Sequence, residues 1–465
     1  MNLSLLLLLL IILTALVILL GVKLFIYRKK FNKLILERES SSQSLSKQKN
    51  KIEELEANIK HKLKKARNVH QRMLPDKLAE PDGYFISDYY QPAEYIGGDY
   101  YNVFKIDHGA MDPFFDQYLV YFFDVSGHGI DSTLLSIFVN DSIENYFKLR
   151  HNPGEKISTS ELMNYIDQRY QKEDFPDDYL VCLFIAVLDR KKNTLNYSSG
   201  GFQYPIYKLD QKQKLEEINI GGLPISTALG ALTDQREEHI VDFQKNNTLM
   251  LSTDGLLEQS NGSELYYKQL QKLLKKYKFL PAPFLKDLIR SDFYNFTNDN
   301  PGEDDITFLL VQRPEGEVLN FTLTAENRAA KESEIIEFIN QNLWSEHQYL
   351  ETLKNITTDL LENHKLKLKI KAYNNQQLLM LSLENINNNE NWDSLLNNYP
   401  DLTSVAEKDL KLTEKAAAEI SFTREEIYFS HNSSNNRIYL MLIKENNLNC
   451  DCSLEENKKM GCLTC

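Results

Sequence analysis

The chain has little cysteine, and most of it lies at the C-terminus. Only five cysteines occur among 465 residues, and four of these lie within the last sixteen positions: Cys450, Cys452, Cys462 and Cys465. This usage excludes a secreted disulfide framework and indicates a reducing compartment. Four thiols suggest a zinc site, but few apolar residues surround them to organise it. We therefore expect residues 446–465 to form a flexible, redox-sensitive tail.

The chain also lacks an excess of basic residues. It has 66 Asp and Glu residues against 53 Lys and Arg residues, which gives a net charge of −13. A general nucleic-acid binder needs a basic surface to neutralise phosphates, so nucleic acid is excluded as a partner. The length is typical of about three domains.

Charge is absent from one long N-terminal segment. Leu3 to Val22 contains no charged residue, and as a helix it would span about 30 Å of hydrocarbon. A cleaved signal peptide is the alternative, but no Lys or Arg precedes the segment and no Ala-x-Ala site follows it. We predict a single-pass anchor over residues 1–27 in the inner (cytoplasmic) membrane. The remaining chain would face the cytoplasm, because a basic cluster follows directly: Lys23, Arg28, Lys29, Lys30 and Lys33.

Residues 28–75 lack glycine and carry apolar residues close to a heptad spacing. These positions are Leu45, Ile52, Leu55, Ile59, Leu63, Ala66 and Met73. The spacing predicts a coiled coil that ends at Pro75 and joins two copies of the chain as a homodimer. A single solvated helix that packs on a neighbour is the alternative.

Acidic residues stand at the ends of apolar segments between residues 84 and 313. Asp99 follows two glycines, Asp124 ends the segment Tyr118–Phe123, Asp254 follows Thr248–Ser252, and Asp304 and Asp305 precede Ile306. A buried carboxylate alone would be neutralised by desolvation, whereas a cluster is stable when divalent cations balance its charge. All-oxygen ligation favours hard cations such as Mg²⁺, Mn²⁺ or Ca²⁺. Alternatively, each Asp-Gly pair is only a turn.

The acidic motifs in their order resemble one known family. The motifs are Tyr95-Ile96-Gly97-Gly98-Asp99-Tyr100-Tyr101, Asp124-Val125-Ser126-Gly127-His128-Gly129, Ser252-Thr253-Asp254-Gly255-Leu256-Leu257-Glu258 and Asp304-Asp305-Ile306-Thr307. They are similar to those of SpoIIE-type (RsbU-like) phosphatases, the bacterial branch of the metal-dependent PPM serine/threonine phosphatases. The segment 66–75 is similar to the helix that enters the domain in that group. The resemblance covers residues 66–313.

The resemblance implies a fold, an activity and a set of site residues. The fold would be an α+β, αββα sandwich of two antiparallel sheets over residues 76–314. Two divalent cations, Mn²⁺ or Mg²⁺, would orient a hydroxide for attack on a phosphomonoester. The implied metal ligands, whose aspartates are also the catalytic candidates, are Asp99, Asp124, the Val125 carbonyl, Asp254 and Asp304. Asp305 is adjacent to the matched position and is a further candidate beside the metals.

Some positions depart from the family pattern. Asn102 stands where the group often has Asp, and Cys182 stands where it often has Thr. In eukaryotic PPM enzymes a histidine two residues after the strand-end Asp acts as general acid, and here that position is Ser126. His128 is therefore a candidate proton donor, with a role at the start of a helix over Ile130–Leu149 as the alternative.

Glycine is missing from the third segment. None occurs between Gly316 and Gly461, although residues Asp359 to Asn363 resemble the first ATP motif of GHKL-type ATPases. That family needs glycine-rich turns to hold nucleotide phosphates. We predict that residues 317–445 form a smaller, non-catalytic α/β module that is GHKL-like or unrelated. Its predicted helices are Ser333–Leu343 and Glu351–Asn363, and its predicted strands are Lys367–Ala372, Leu378–Leu383 and Arg437–Ile443.

Together these patterns predict a membrane-anchored protein serine/threonine phosphatase that is regulated through its coiled coil. By resemblance, its substrate would be a phosphorylated regulatory protein of the anti-anti-sigma type. In the resembling enzymes, movement of the entering helix governs assembly of the metal site, and the same is expected of Lys64–Leu74. The alternatives are a non-catalytic scaffold that binds phosphoprotein and a bifunctional phosphatase/kinase.

Overall fold

The computed structural model describes most of the first 314 residues and six later strands. The described residues are 3–314 without 71, 76–77, 128, 211–214, 231–235, 279, 299–301 and 303, together with 317–323, 368–374, 378–385, 402–404, 427–432 and 437–443. The chain divides into two compact units, Met1–Asn68 and Val69–Cys465.

The first unit is one continuous helix. Helix α1 runs over Leu3–His70, so the predicted anchor and the predicted coil are both helical, and the helix ends five residues before Pro75. An 18-residue window of α1 has a mean hydropathy of 2.9. The helix is therefore long and apolar enough to cross a membrane. A signal sequence passes the same test, so this is weak evidence for an anchor.

Two five-stranded antiparallel sheets form the centre of the second unit. The first sheet has the order β2-β3-β4-β5-β8 and the second has the order β1-β10-β9-β6-β7. The strands are β1 (Phe85–Gln91), β2 (Tyr100–Lys105), β3 (Gln117–Val125), β4 (Val181–Asp189), β5 (Thr194–Gly200), β6 (Ile206–Asp210), β7 (Glu216–Ile218), β8 (His239–Asp242), β9 (Asn247–Ser252) and β10 (Ile306–Arg313).

Strand β3 shows why these segments are continuously apolar. Successive side chains of a strand point to opposite faces of the sheet. Val120 and Phe122 pack between the two sheets, whereas Leu119, Tyr121 and Phe123 pack under helices on the outer face. All five side chains are at most 1% exposed. A strand buried on both faces has no polar position, which explains its apolar sequence.

Five helices complete the layers. They are α2 (Ile130–Leu149), α3 (Thr159–Glu173), α4 (Asp254–Leu257), α5 (Tyr266–Tyr277) and α6 (Ala282–Thr297). Helix α3 begins with an N-cap, in which the Ser158 side chain accepts a hydrogen bond from the Glu161 N–H. Helices α2 and α3 cover the first sheet, and α5 and α6 cover the second. The α+β sandwich and the helix predicted over Ile130–Leu149 are therefore confirmed.

A third sheet follows the sandwich. Its order is β11-β12-β13-β16-β15-β14, antiparallel except for the pair β14 and β15. The strands are β11 (Glu317–Leu323), β12 (Leu368–Asn374), β13 (Leu378–Asn385), β14 (Leu402–Ser404), β15 (Ile427–Asn432) and β16 (Arg437–Ile443). Tyr439 and Met441 of β16 are buried in the same core as α5 and α6. The three strands predicted here are confirmed, whereas both predicted helices and the cysteine tail lie outside the described residues.

Candidate active site

Asp99 lies at the start of β2 and is buried. Its side chain is 1% exposed, and it accepts hydrogen bonds from the hydroxyls of Thr253, at 3.1 Å, and Thr307. Thr253 ends the loop after β9, and Thr307 is the second residue of β10. These bonds hold one carboxylate oxygen of Asp99 against the second sheet, so β2 and β10 meet at this point.

Asp124 and Asp254 form the second part of the site. Asp124 is the penultimate residue of β3, and Asp254 is the first residue of α4. Their carboxyl groups share a hydrogen bond, and both are half-buried. The first sheet and the second sheet therefore each contribute carboxylates to one end of the sandwich.

Asp304 and Asp305 have different surroundings. Asp304 is exposed, and its Oδ1 accepts from the backbone N–H of Asp305 at 2.8 Å. Asp305 is 4% exposed, and its carboxylate accepts from the backbone N–H groups of Ala93, at 2.8 Å, and Gly98, at 2.7 Å. These hydrogen bonds to Asp305 therefore hold the loop before Asp99 in place.

Two glycines permit this close approach. A Cβ atom on Gly97 would lie 2.1 Å from Oδ2 of Asp305, and one on Gly255 would lie 2.0 Å from the backbone oxygen of Asp305. Any side chain at either position would push the acidic residues apart. The glycines that flank the aspartates in the sequence are therefore required by packing.

The backbone carbonyl predicted as a ligand also faces this region. The Val125 oxygen would lie 2.7 Å from a Cβ atom on Gly98, in the loop just before Asp99. Asp99, Asp124, Asp254, Asp304 and Asp305 are called the acid cluster below. The structure brings the five aspartates to one end of the sandwich, where their charges act on one another.

Four aspartates of the acid cluster, Asp99, Asp124, Asp254 and Asp305, have raised pKa values. Burial and then the charges of Asp124 and Asp305 raise the pKa of Asp99 well above its usual value. Burial, followed by the charge of Asp254, raises the pKa of Asp124 well above its usual value. Burial and then Asp304 raise the pKa of Asp254, and burial raises that of Asp305 against the N–H groups that stabilise its charged form. In the described part of the chain no cation is among the causes of these four shifts, so the carboxylates at this end of the sandwich repel one another.

The donor set fits hard divalent cations. It consists only of carboxylate and carbonyl oxygens, the ligands that Mg²⁺ and Mn²⁺ prefer, and positive charge would relieve the repulsion. Within the described parts of the chain, no three His, Cys, Asp or Glu side chains are already arranged around a single metal position. Asp124 and Asp254 would have to exchange their shared hydrogen bond for metal contacts.

Sequence reasoning missed two residues of the site. The two hydroxyls that hold Asp99, those of Thr253 and Thr307, lie directly beside predicted aspartates in the motifs, and this adjacency was their only signal. Cys182 of β4 pairs with Asp124 of β3. It is half-buried, and burial followed by the charges of Asp124 and Asp254 raises the pKa of its thiol to about 12. Burial and these charges both favour the protonated form of the thiol.

The positions that depart from the family pattern have other contacts. The Ser126 hydroxyl accepts from the backbone N–H of Leu180 at 2.8 Å, so it fixes a loop. Asn102 donates to the Tyr121 hydroxyl at 3.2 Å. His128, the candidate proton donor, lies outside the described residues.

The comparison with known families decides the class of this domain. Residues 116–314 match the family described as Stage II sporulation protein E (SpoIIE). The central domain is a SpoIIE-type phosphatase domain. The resemblance predicted from the motifs is confirmed, and with it a serine/threonine phosphatase of the PPM type. The match begins after Asp99, which the structure nevertheless places in the acid cluster of the SpoIIE-type domain.

Individual relatives are distant. The chain is 21% identical to the phosphoserine phosphatase RsbU of Bacillus subtilis (strain 168) over 262 residues, which are 56% of this chain and 72% of RsbU. The SiaA PP2C domain of Pseudomonas aeruginosa is 20% identical, with a TM-score of 0.45, and the match covers 56% of this chain and 98% of that one. The RsbU and RsbW domains of a Mycobacterium tuberculosis protein are 15% identical, with a TM-score of 0.42, over 78% of this chain and 92% of theirs.

Proposed function

We propose that the SpoIIE-type domain hydrolyses phosphoserine or phosphothreonine on a regulatory protein, with two divalent cations, Mn²⁺ or Mg²⁺, held by the acid cluster. The observation that carries the proposal is the convergence of five aspartates at one end of the sandwich. Phosphatases of this type use divalent metal ions. The B. subtilis relative acts on phosphoserine, and a phosphorylated partner of the anti-anti-sigma type suits the same chemistry.

The residues of the chain have separable tasks in this proposal. Bound cations would polarise the phosphate and supply an activated water. Thr253 and Thr307 fix the position and orientation of Asp99. Asp305 fixes the loop before it, and Asp124 and Asp254 face each other from the two sheets. Without cations these carboxylates would repel a phosphate dianion, which makes activity strictly metal-dependent.

The test is hydrolysis of a phosphoserine peptide and of p-nitrophenyl phosphate by the full chain in detergent. Activity is expected with Mn²⁺ and not with EDTA. Asp124→Asn and Asp254→Asn should each lower kcat by more than about 100-fold. Substitution of residues that only support the metal ligands lowers activity by at most about this factor, so a larger loss is expected of the ligands themselves. Asp242→Asn, at an exposed position of β8, is the matched control and should retain full activity. Hydrolysis that persists with EDTA or in Asp124→Asn would refute the proposal.

We further propose that α1 anchors the domain to the inner membrane and forms the coiled coil of a homodimer, with the domain in the cytoplasm. Four apolar residues of the predicted seam are between 49% and 69% exposed in the single chain, which suits burial against a second copy: Leu45, Ile52, Leu55 and Ile59. Cysteine cross-linking along this seam in native membranes would test the dimer, and no cross-link at any seam position would contradict it.

The segment after α1 offers a route for regulation. The Tyr100 hydroxyl donates to the Met73 carbonyl at 2.9 Å, and Tyr100 directly follows Asp99. His70 is 4% exposed and lies edge-on to Tyr90, with 6.3 Å between ring centroids. A shift of this segment would therefore move the first residue of β2 and the aspartate beside it. We propose that the coil regulates the phosphatase through this contact.

A further inference from the structure

A small cavity lies at the end of the sandwich opposite the acid cluster. Its volume is about 240 Å³, and it is bounded by the start of β1, the ends of β4 and β10 and the loop before β9. The charged side chains of its wall comprise four cations and two carboxylates: Arg190, Lys191, Lys245, Arg313, Asp82 and Asp116. Positive charge therefore exceeds negative charge by two around a cavity that is open to solvent on one side.

Tyr84 forms an aromatic part of the wall and has an unused donor. Its side chain is 3% exposed, and the guanidinium carbons of Arg190 and Arg313 lie 5.7 Å and 5.9 Å from its ring centroid. Its hydroxyl is buried and has no hydrogen-bond partner in the described part of the chain. A buried hydroxyl without an acceptor is unfavourable, so a ligand with acceptor oxygens would satisfy it.

Some of the cations are already engaged by the protein. Arg190 pairs with Asp116 at 2.8 Å and donates to the backbone oxygen of Asp82 at 2.6 Å. Lys191 donates to the backbone oxygen of Pro113. These contacts make Arg190 a fixed part of the wall.

Other donors are still free. Arg313 donates through Nη1 to Asn193 and to the Phe243 carbonyl, whereas its Nη2 has no acceptor among the described residues. The ammonium group of Lys245 likewise has no acceptor in that part of the chain, and the side chain is exposed at the cavity rim. Together with the Tyr84 hydroxyl, three donors of this wall are available to an anion.

The size of the cavity limits the ligand. At about 30 Å³ for each water molecule, the cavity holds the volume of roughly eight waters. It is smaller than the range of about 300–1,000 Å³ that is usual for sites of larger organic ligands. One or two phosphate groups fit this volume.

We propose that this cavity binds a small phosphate-bearing anion of the size of pyrophosphate, held by Lys245, Arg313 and the Tyr84 hydroxyl. The cavity is not part of the phosphatase site. Arg313 lies six positions after Thr307 along β10, and at about 3.4 Å per residue this is a distance of about 20 Å from the residue that contacts Asp99. The bound anion is therefore a ligand and not a substrate, and its binding requires no metal.

Calorimetric titration of the full chain in detergent, with pyrophosphate as the probe, tests the site. EDTA is present throughout, so that pyrophosphate cannot bind through metals at the acid cluster. We expect saturable binding that weakens as salt increases, because charge dominates the contact. Lys245→Met should weaken the affinity by about tenfold, the loss of one charge-assisted contact. Lys192→Met, a neighbouring exposed lysine that does not line the cavity, is the matched control and should leave the affinity unchanged.

Two further titrations sharpen the result. Tyr84→Phe keeps the ring and removes only the hydroxyl, so a several-fold loss of affinity would place the anion beside it. Phosphoserine under the same conditions distinguishes a free anion from a phosphorylated side chain. Absence of pyrophosphate binding, equal affinity in Lys245→Met, or binding of phosphoserine alone would each overturn the proposal. None of these outcomes depends on phosphatase activity.

Discussion

At the scale of single residues, adjacent aspartates have different tasks. Asp304 is exposed and accepts from the backbone N–H of Asp305, whereas Asp305 is buried and accepts from the backbone N–H groups of Ala93 and Gly98. The family resemblance implied Asp304 as a metal ligand and Asp305 as a further candidate beside the metals. The difference between them arises from the loop at residues 93–98, whose path is not encoded near Asp305.

Asp305→Asn should weaken metal binding without removing a metal ligand. An amide has one acceptor oxygen and would turn its NH₂ group toward a backbone donor, so the loop before Asp99 would shift. We expect the Mn²⁺ concentration for half-maximal activity to rise by about 10–100-fold, with activity recovered at saturating Mn²⁺. Asp242→Asn serves as the control. If saturating Mn²⁺ restores nothing, Asp305 is itself an indispensable ligand.

At the scale of elements, the strands were the most predictable part. Strand β3 has apolar side chains on both faces, and helix α2 has the bounds expected from its sequence. The contacts of Thr253 and Thr307 with Asp99 were not predictable, because these residues are 154 and 208 positions away from Asp99. Local pattern indicates which element forms, whereas such contacts depend on which strands become neighbours. Strand β11 was missed for a similar reason, since its pairing partner β12 lies some fifty residues later.

The buried aspartates at the ends of the strands make the stability of the metal-free domain depend on pH. Burial and mutual repulsion raise the pKa values of Asp99, Asp124, Asp254 and Asp305 in the folded state. The unfolded chain therefore releases these protons first, and stability falls as the pH rises from the usual carboxyl range through the raised values. With EDTA, the free energy of unfolding should be lower at pH 8 than at pH 5. The difference is about 1.4 kcal/mol for each unit by which the pKa of a carboxyl group is higher in the folded than in the unfolded state.

Metal should reverse this trend, because cations compete with protons for the same oxygens. Mn²⁺ at about 100 times its Kd should add about 2.7 kcal/mol to the free energy of unfolding at pH 8 and less at pH 5. Denaturant unfolding at both pH values measures this. Asp124→Asn should flatten the metal-free pH dependence and reduce the gain from Mn²⁺. Equal gains from Mn²⁺ in Asp124→Asn and the parent would locate the metal elsewhere.

The contact between Tyr100 and Met73 gives an element-scale test of regulation. We expect Leu55→Lys, which places a charge in the coil seam, to change phosphatase activity several-fold in the parent chain. In a Tyr100→Phe background the same substitution should have little effect, because the hydrogen bond to Met73 is lost. Tyr101→Phe, which removes a hydroxyl bonded to Asp88 at 2.6 Å, is the matched control. An undiminished effect of Leu55→Lys in Tyr100→Phe would mean that the signal takes another route.

At the scale of the whole molecule, the third sheet shares a core with the phosphatase domain. Tyr439 of β16 is completely buried, and its ring stands edge-on to Phe85 of β1, with 6.5 Å between centroids. Its hydroxyl lies 3.5 Å from the Glu80 carboxylate. The sequence predicted a separate module after residue 317, and the burial of Tyr439 and Met441 beside α5 and α6 shows that β16 packs on the sandwich.

Tyr439→Ala should therefore destabilise the phosphatase domain itself. Loss of a fully buried aromatic ring costs about 3–5 kcal/mol, because the cavity left behind does not close completely. The phosphatase activity should be lost at a lower temperature, in the same transition that unfolds β16. Tyr439→Phe retains the ring and should cost no more than about 1.5 kcal/mol, the value of one hydrogen bond. If activity survives in Tyr439→Ala up to the temperature of the parent chain, the third sheet is an independent unit, because its core would contribute nothing to the sandwich.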